Sequence, residues 1–282
     1  MSVMTTKNEH GDAELVSRGM VDVQGRADER HIAINKVGVK GITYPITLRR
    51  ADGGSEQTVA TIDMYVSLPH TRKGTHMSRF LEILNKNREG IRPEKIAEIC
   101  HTMRDRLDAE EAHMRVDFTY FIEKRAPVTD QPGLMNYGVT FECSSNCRDD
   151  FVMSVRVPAT SLCPCSKEIS SYGAHNQRCL LEAEVRFTGE LWIEEVVNML
   201  EGAASAHLYS VLKRPDEKFV TELAYDQPKF VEDIIRDAAH ALNEEDRIFW
   251  YRVRSENFES IHNHNAYAEI TRDKRVADDA LD

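Results

Sequence analysis

Polar and apolar positions alternate from His31 onward. HIAINKVGVKGITYPITLRR and TVATIDMYVSL are rich in β-branched residues and predict two strands joined by a turn at Asp52, Gly53 and Gly54. The period then changes. Met77, Phe80, Leu81 and Leu84 recur at helical spacing with Ser78 near the start, and after Pro93 so do Ile96, Ile99, Cys100, Met103 and Leu107. MRVDFTYFIEKRAPV and MNYGVTFECSS return to alternation, bounded by a turn at Pro132 and Gly133. The same order then repeats. FVMSVRVPA and LLEAEVRFTG predict strands, and LWIEEVVNMLEGAASAHLYSVL predicts one amphipathic helix stopped by Pro215. Asp226 and Pro228 open another helix, with Val231, Ile234, Ile235, Ala238 and Leu242 facing inward. IFWYRVRSENF and HNAYAEITRD supply the last two strands.

Strand, strand, helix, helix, strand, strand, read twice, predicts an α+β chain built from two copies of one unit. The expected boundaries are a mobile tail over 1–28, a first unit over 29–148, a second over 149–272 and a frayed tail over 273–282. Helices set apart from antiparallel strands cover one face of each sheet, so the other face and the edges call for a partner.

Charge and composition narrow the function. The chain has 282 residues, 41% hydrophobic and 29% charged, which is long enough for one large domain or two modest ones with real cores. Its 36 basic and 47 acidic residues leave a net charge of -11, which argues against general binding to nucleic acid or anionic membranes. No apolar run approaches the roughly 20 residues that cross a bilayer, and the first residues lack the apolar segment of a signal peptide. The expectation is a cytoplasmic protein. In a reducing compartment its six cysteines serve as ligands, a nucleophile or core thiols rather than as disulfides. An anionic ligand would need a local basic cluster, for which Lys167, Arg178, Arg79, Arg72 and Lys73 are candidates.

The densest chemistry lies in TSLCPCSKEISSYGAHNQR, from Thr160 to Arg178, between two predicted strands. It holds Cys163, Cys165, Lys167, Glu168 and His175. Thiolate and imidazole suit a borderline-soft metal such as zinc. Cys163 and His175 stand too far apart for one helical face, so the loop has to fold back. Pro164 is expected to hold Cys163 extended and deny the loop a helical start, and Gly173 to supply the turn. A buried core thiol and a surface histidine would use the same letters.

Other positions carry possible chemistry. Glu217 lies in RPDEKFVTE, which is too charged for core and reads as a solvated loop. Glu232 falls in the first turn of the helix after Pro228, where a carboxylate also favours the helix dipole. His262 and His264 alternate across Asn263 at the mouth of a strand and face the same way, as metal or proton-transfer groups or as plain surface histidines. KGTHMSRF puts His76 and Arg79 at a helix N-terminus, a natural anion site or simple capping. Cys143, Cys147, Cys163 and Cys165 would alternatively form a four-thiolate zinc site in a non-catalytic binding module, although their spacings are C-x3-C and C-x-C.

SLCPCSKEIS followed by GAHNQR, with KGTHMSRF upstream and SIHNHNAYAE near the end, resembles the type IB GTP cyclohydrolase I family from about residue 30 onward. The resemblance implies a tandem tunnelling fold, whose ββαα-type units assemble into an oligomeric β-barrel, with active sites between subunits of a homotetramer. The implied reaction converts GTP and water to 7,8-dihydroneopterin triphosphate and formate, the entry to folate and pterin synthesis, with a divalent ion (zinc, manganese or iron) as cofactor. By the same resemblance Cys163, His175 and Glu217 match the metal-binding residues, Cys163 being the essential cysteine. Glu232 matches the carboxylate that grips the purine edge, and His262 and His264 match histidines near the metal that serve acid–base steps. Ser166 and Lys167 resemble a phosphate-binding pair, to which Arg79 and His76 would add charge. The nearest enzyme alternative of the same fold is an NADPH-dependent nitrile reductase, in which Cys163 would be a nucleophile.

Overall fold

The computed structural model describes residues 24–87, 91–146 and 149–276, together with two short strands, β1 (Thr6–Lys7) and β2 (Ala13–Glu14), that pair with each other. The first repeat runs β3 (Ile34–Arg49), β4 (Ser55–Leu68), α1 (Met77–Lys86), α2 (Pro93–Leu107), β5 (Ala112–Arg125) and β6 (Pro132–Ser145). The second runs β7 (Asp149–Leu162), α3 (Pro164–Ile169), β8 (Asn176–Phe187), α4 (Ile193–Ala203), β9 (Ala206–His207), α5 (Arg214–Asp226), α6 (Val231–Glu244), β10 (Ile248–Asn257) and β11 (Ala266–Asp273). The duplicated order is therefore present, with extra helices in the second copy. Gln24 to Asp28, within the expected tail, run beside 71–74 through backbone bonds such as Asp28 N to Thr71 O at 3.2 Å.

All the long strands join one antiparallel sheet in the order β11-β10-β8-β7-β6-β5-β4-β3, with β9 added beside β7. Gly53, at φ +83°, makes the β3–β4 turn that Asp52, Gly53 and Gly54 announce. Strand periodicity sends Met135, Tyr137, Val139, Phe141 and Cys143 of β6 to the helix side, while Asn136, Thr140 and Glu142 face the other way. Helices cover only the first side, and one continuous apolar core runs beneath them through both repeats. Phe80, Leu84, Ile96, Ile99, Ile234 and Leu242 are completely buried in it, each worth about 1.5–3 kcal/mol of burial. The bare side carries cross-strand ion pairs, with Glu184 bonded by Arg252 at 2.6 Å and by Arg254 at 2.7 Å.

Several expectations need correction: Asp226 ends α5 while α6 opens at Val231, and Pro132 and Gly133 lie in β6 rather than in the turn before it. The helix expected over 191–212 ends at Ala203, where Ala204 turns extended and Ala206–His207 pairs with β7 instead. Pro215 does not stop that helix; it opens α5, and RPDEKFVTE is helical rather than loop. Pro164 likewise opens a helix, α3, with Cys163 as its N-cap. Pro215 and Pro164 each occupy a first-turn position whose N–H has no intrahelical partner to lose. Helices α4, α5 and α6 share one device: a third-position acid, Glu195, Asp216 or Asp233, accepts the N–H of the residue before the helix.

Strand register fixes which chemistry can meet. Leu162 faces Asn176 and Asn257 faces Ala266, so Cys163 and the 258–265 loop share one rim of the sheet. Val66 faces Ala112, Ala112 faces Ser145 and Ser145 faces Asp149, so the start of α1 lies on the opposite rim.

Candidate active site

The Cys163 loop is clipped shut by backbone and one hydroxyl. Cys163 N donates to His175 O at 3.2 Å, and Ser166 Oγ donates to Cys163 O at 3.1 Å while accepting from His175 N at 3.2 Å. Gly173, at φ +115°, makes the reversal between them. The thiol of Cys163 is half-buried, and among the described residues its sulfur accepts one weak hydrogen bond, from Ser166 N at 3.5 Å, which leaves it able to take a ligand. The only donor of the Ser166 hydroxyl is spent on Cys163 O. In this arrangement the hydroxyl is engaged in closing the loop. Lys167 Nζ donates to Tyr225 O at 2.6 Å and sits 4.3 Å from the centre of the Tyr225 ring, keeping two further donors.

His175 is oriented from behind. Its Nδ1 meets Gln177 Oε1 at 3.0 Å and Ser260 Oγ at 3.2 Å, and Gln177 Nε2 donates to Glu259 Oε1 at 3.1 Å. Nε2 is left facing away from these partners. The same loop carries His262 and His264, whose rings stack at 5.1 Å and 19°. They face the same way, as their spacing implies, although they precede β11 in a bend rather than in the strand.

The two glutamates arrive on neighbouring helices. Lys229 N donates to Leu162 O at 3.0 Å and Ser161 Oγ donates to Lys229 O at 3.2 Å, which ties the entry of α6 beside Cys163. Glu232, exposed in the first turn of α6, thus stands on this rim. Glu217 is exposed in the first turn of α5, a helix whose Val220, Leu223 and Ala224 pack on Leu162, Ala174 and Ala206. Among the described residues no three His, Cys, Asp or Glu side chains converge closely enough to hold an ion. The chain thus gathers Cys163 and His175, and brings the helix of Glu217 alongside without bringing its carboxylate in.

His76 occupies the N-cap position of α1 and Arg79 donates to Arg106 O at 3.2 Å, both on the far rim of the first repeat. Within one chain they do not meet Cys163. The four-thiolate arrangement also fails: Cys143 is buried opposite Phe151, at the other end of β7 from Cys163, and Cys165 is exposed. Cys147 lies outside the described residues.

Sequence reasoning missed Asp216. Its buried carboxylate accepts from Val128 N and Thr129 N at 2.9 Å each, from Thr129 Oγ1 at 2.7 Å and from Lys213 N at 2.8 Å, pinning the start of α5 to the first repeat. The Pro-Asp-Glu run after Arg214 is the signal that would have located it, as a helix start with an acid at the third position. Burial raises its pKa, but the four hydrogen bonds to the ionised form outweigh burial and hold it at about 2, below its ordinary 3.8. A depressed carboxylate stabilises the fold above the unfolded pKa and loses that contribution as pH falls through the folded one. Urea midpoints should accordingly drop between about pH 4 and about pH 2. Asp216→Asn should be less stable at pH 7 and show a flatter loss across that window; an unchanged slope would remove Asp216 from the acid response.

Residues 20–268 match the family model described as type I GTP cyclohydrolase folE2. The chain belongs to this FolE2 family. Curated relatives named GTP cyclohydrolase FolE2 include one from Azoarcus sp. (strain BH72), 54% identical over 93% of this chain and 98% of its own length. Another, from Magnetococcus marinus, is 56% identical over 88% of this chain and 94% of its own. Among solved structures the chain is similar to uricase from Arthrobacter globiformis, with a TM-score of 0.50 at 10% identity over 86% of this chain and 94% of that one. That likeness shows the fold alone, and it agrees with the tandem tunnelling arrangement expected for the FolE2 family.

Proposed function

We propose that the chain is a metal-dependent GTP cyclohydrolase I, converting GTP and water to 7,8-dihydroneopterin triphosphate and formate at the rim that carries Cys163. The observation behind the site is the Cys163–His175 clip: an open thiol and an imidazole, brought together by one backbone bond and one serine hydroxyl. A thiolate and a neutral imidazole nitrogen are zinc-type donors, and an imidazole tied at Nδ1 has the outer support that ligating histidines carry. Those two residues fit an ion, and Glu217, from the adjoining helix, is the proposed third ligand. A divalent ion there would act as a Lewis acid and lower the pKa of a water it holds from 15.7 towards about 7.

The chain's own groups do the rest. Water adds across C8=N7 of guanine, its oxygen to C8 and a proton from His262 or His264 to N7, and the imidazole ring opens as C8–N9 breaks with proton transfer from the hydroxyl to N9, leaving a formyl group on N7. A second hydration releases formate, after which the ribose rearranges and closes onto the freed amine through further proton transfers by the stacked pair. Glu232 accepts from the N1 and N2 donors of the purine edge and so fixes its register. Lys167 takes the triphosphate, joined by His76 and Arg79 of a second subunit, since within one chain they lie on the opposite rim. This arrangement makes the active site a feature of a homo-oligomer, a tetramer in our reading, in which further copies cover the sheet edges β3 and β11. The substrate and the part-exposed thiols fit a reducing cytoplasm.

Metal-reconstituted protein incubated with GTP should release formate and yield a pterin that fluoresces after oxidation, and a chelated control should yield neither. If both products fail to appear with zinc, manganese and iron while NADPH is oxidised in the presence of a nitrile, Cys163 is a nucleophile and the cyclohydrolase reading falls.

A further inference from the structure

We propose that Glu259, acting through Gln177, dictates the tautomer of His175 and locks the loop bearing His262 and His264 to it. The inference deepens the reading of His175 as a metal ligand and rests on it for its functional consequence.

The argument is a chain of donors and acceptors. A carboxylate accepts and cannot donate, so at 3.1 Å from Glu259 Oε1 the Gln177 side chain must present its NH2 group. Its carbonyl oxygen then faces His175 Nδ1 at 3.0 Å, and this oxygen only accepts. Nδ1 must therefore carry a hydrogen, which the Ser260 hydroxyl at 3.2 Å also accommodates as an acceptor. The neutral ring with its hydrogen on Nε2 is excluded, because two lone pairs would meet at Nδ1. Of the two neutral tautomers, what remains is the ring with its hydrogen on Nδ1, whose Nε2 lone pair is free for an ion. Gln177 is only 9% exposed, so water does not compete well for its amide.

The same bonds join parts of the chain distant in sequence. Glu259 lies 82 residues from Gln177, and Ser260 lies 85 residues from His175. Phe258 N adds a backbone bond to Arg178 O at 2.9 Å. The 258–265 loop is thus fastened by three successive residues to the strand that begins just after His175. Gln177 and Glu259 touch no reacting atom in this scheme. They are positioning residues, and outer partners of this type typically alter metal affinity by about 10- to 100-fold.

The test uses the full-length protein with 15N-labelled histidine, stripped of metal, above the pH at which its histidines titrate. His175→Ala identifies the signal. The wild type should show His175 with its hydrogen on Nδ1, and Gln177→Met and Glu259→Met should each move it towards the Nε2–H form. In chelator competition both variants should bind zinc about 10- to 100-fold more weakly, with little change in melting temperature. The double variant should be no weaker than Gln177→Met alone, since Glu259 acts through Gln177. An unchanged tautomer in either single variant, or additive losses in the double, overturns the relay. Should Gln177→Met fail to fold, Glu259→Met in the loop carries the same test. Wild-type zinc affinity in His175→Ala would instead overturn the ligand reading, while the tautomer measurement would still stand by itself.

Discussion

Cys163→Ala should release no formate from GTP and should retain little metal after dialysis, while melting close to the wild type. The contrast follows from how the residue is held. Its place in the fold rests on its backbone, through Cys163 N to His175 O and Ser166 Oγ to Cys163 O, and alanine keeps both bonds. The sulfur adds a single hydrogen bond, accepted from Ser166 N at 3.5 Å, and sulfur is too weak an acceptor for it to contribute much stability. Removing it deletes a proposed ligand and leaves the scaffold. The loss of metal affinity should exceed the roughly 10- to 100-fold of an outer-partner change. Metal content by atomic emission, formate by coupled assay and melting by circular dichroism together decide it. An active variant, or one that keeps its metal, would refute the assignment of Cys163.

Glu232→Gln is the second large effect, and it should separate recognition from metal binding. Glutamine has the same shape but offers one acceptor and an NH2 group where the purine edge needs two acceptors. One charge-assisted bond is lost and a donor is set against a donor. At about 1.5–3 kcal/mol per bond to a charged group, kcat/KM for GTP should fall by roughly 10- to 100-fold, with metal content unchanged. Nothing in the fold should suffer, because Glu232 is exposed and Asp233, not Glu232, caps the helix. Loss of metal with nucleotide affinity intact would mean that Glu232 and Glu217 have exchanged roles.

Much of this was readable from the letters, for identifiable reasons. Strand alternation and the inward stripes of α1, α2 and α6 have unambiguous periods, so the duplicated order emerged directly. Helix α5 was hidden because its exposed face carries Glu217, Lys218, Thr221 and Glu222, which leaves too little apolar signal. The excess length given to α4 came from apolar residues after Ala203 that serve β9 and its neighbours. At the site, the fold-back from Cys163 to His175 was legible through Gly173, whereas the roles of Glu217 and Glu232 came from the family resemblance. The pairing of Gln177 with Glu259, and that of Asp216 with Val128 and Thr129, were invisible because those partners lie more than 80 residues away, a separation that local pattern does not encode.

The seam between the repeats has a mechanical consequence. Strands β6 and β7 pair over Gly138–Ser145 and Asp149–Arg156, as fully as β4 and β5 pair within the first repeat. Across the same seam Glu201 of the second repeat, buried, takes Lys124 at 2.7 Å and Tyr137 at 2.8 Å from the first. Hinging the halves would break that ladder and strand a buried carboxylate. The two repeats are therefore held as one stiff plate, and at the proposed site room for a nucleotide has to come from α3, α5 and the 258–265 loop rather than from a hinge at this seam.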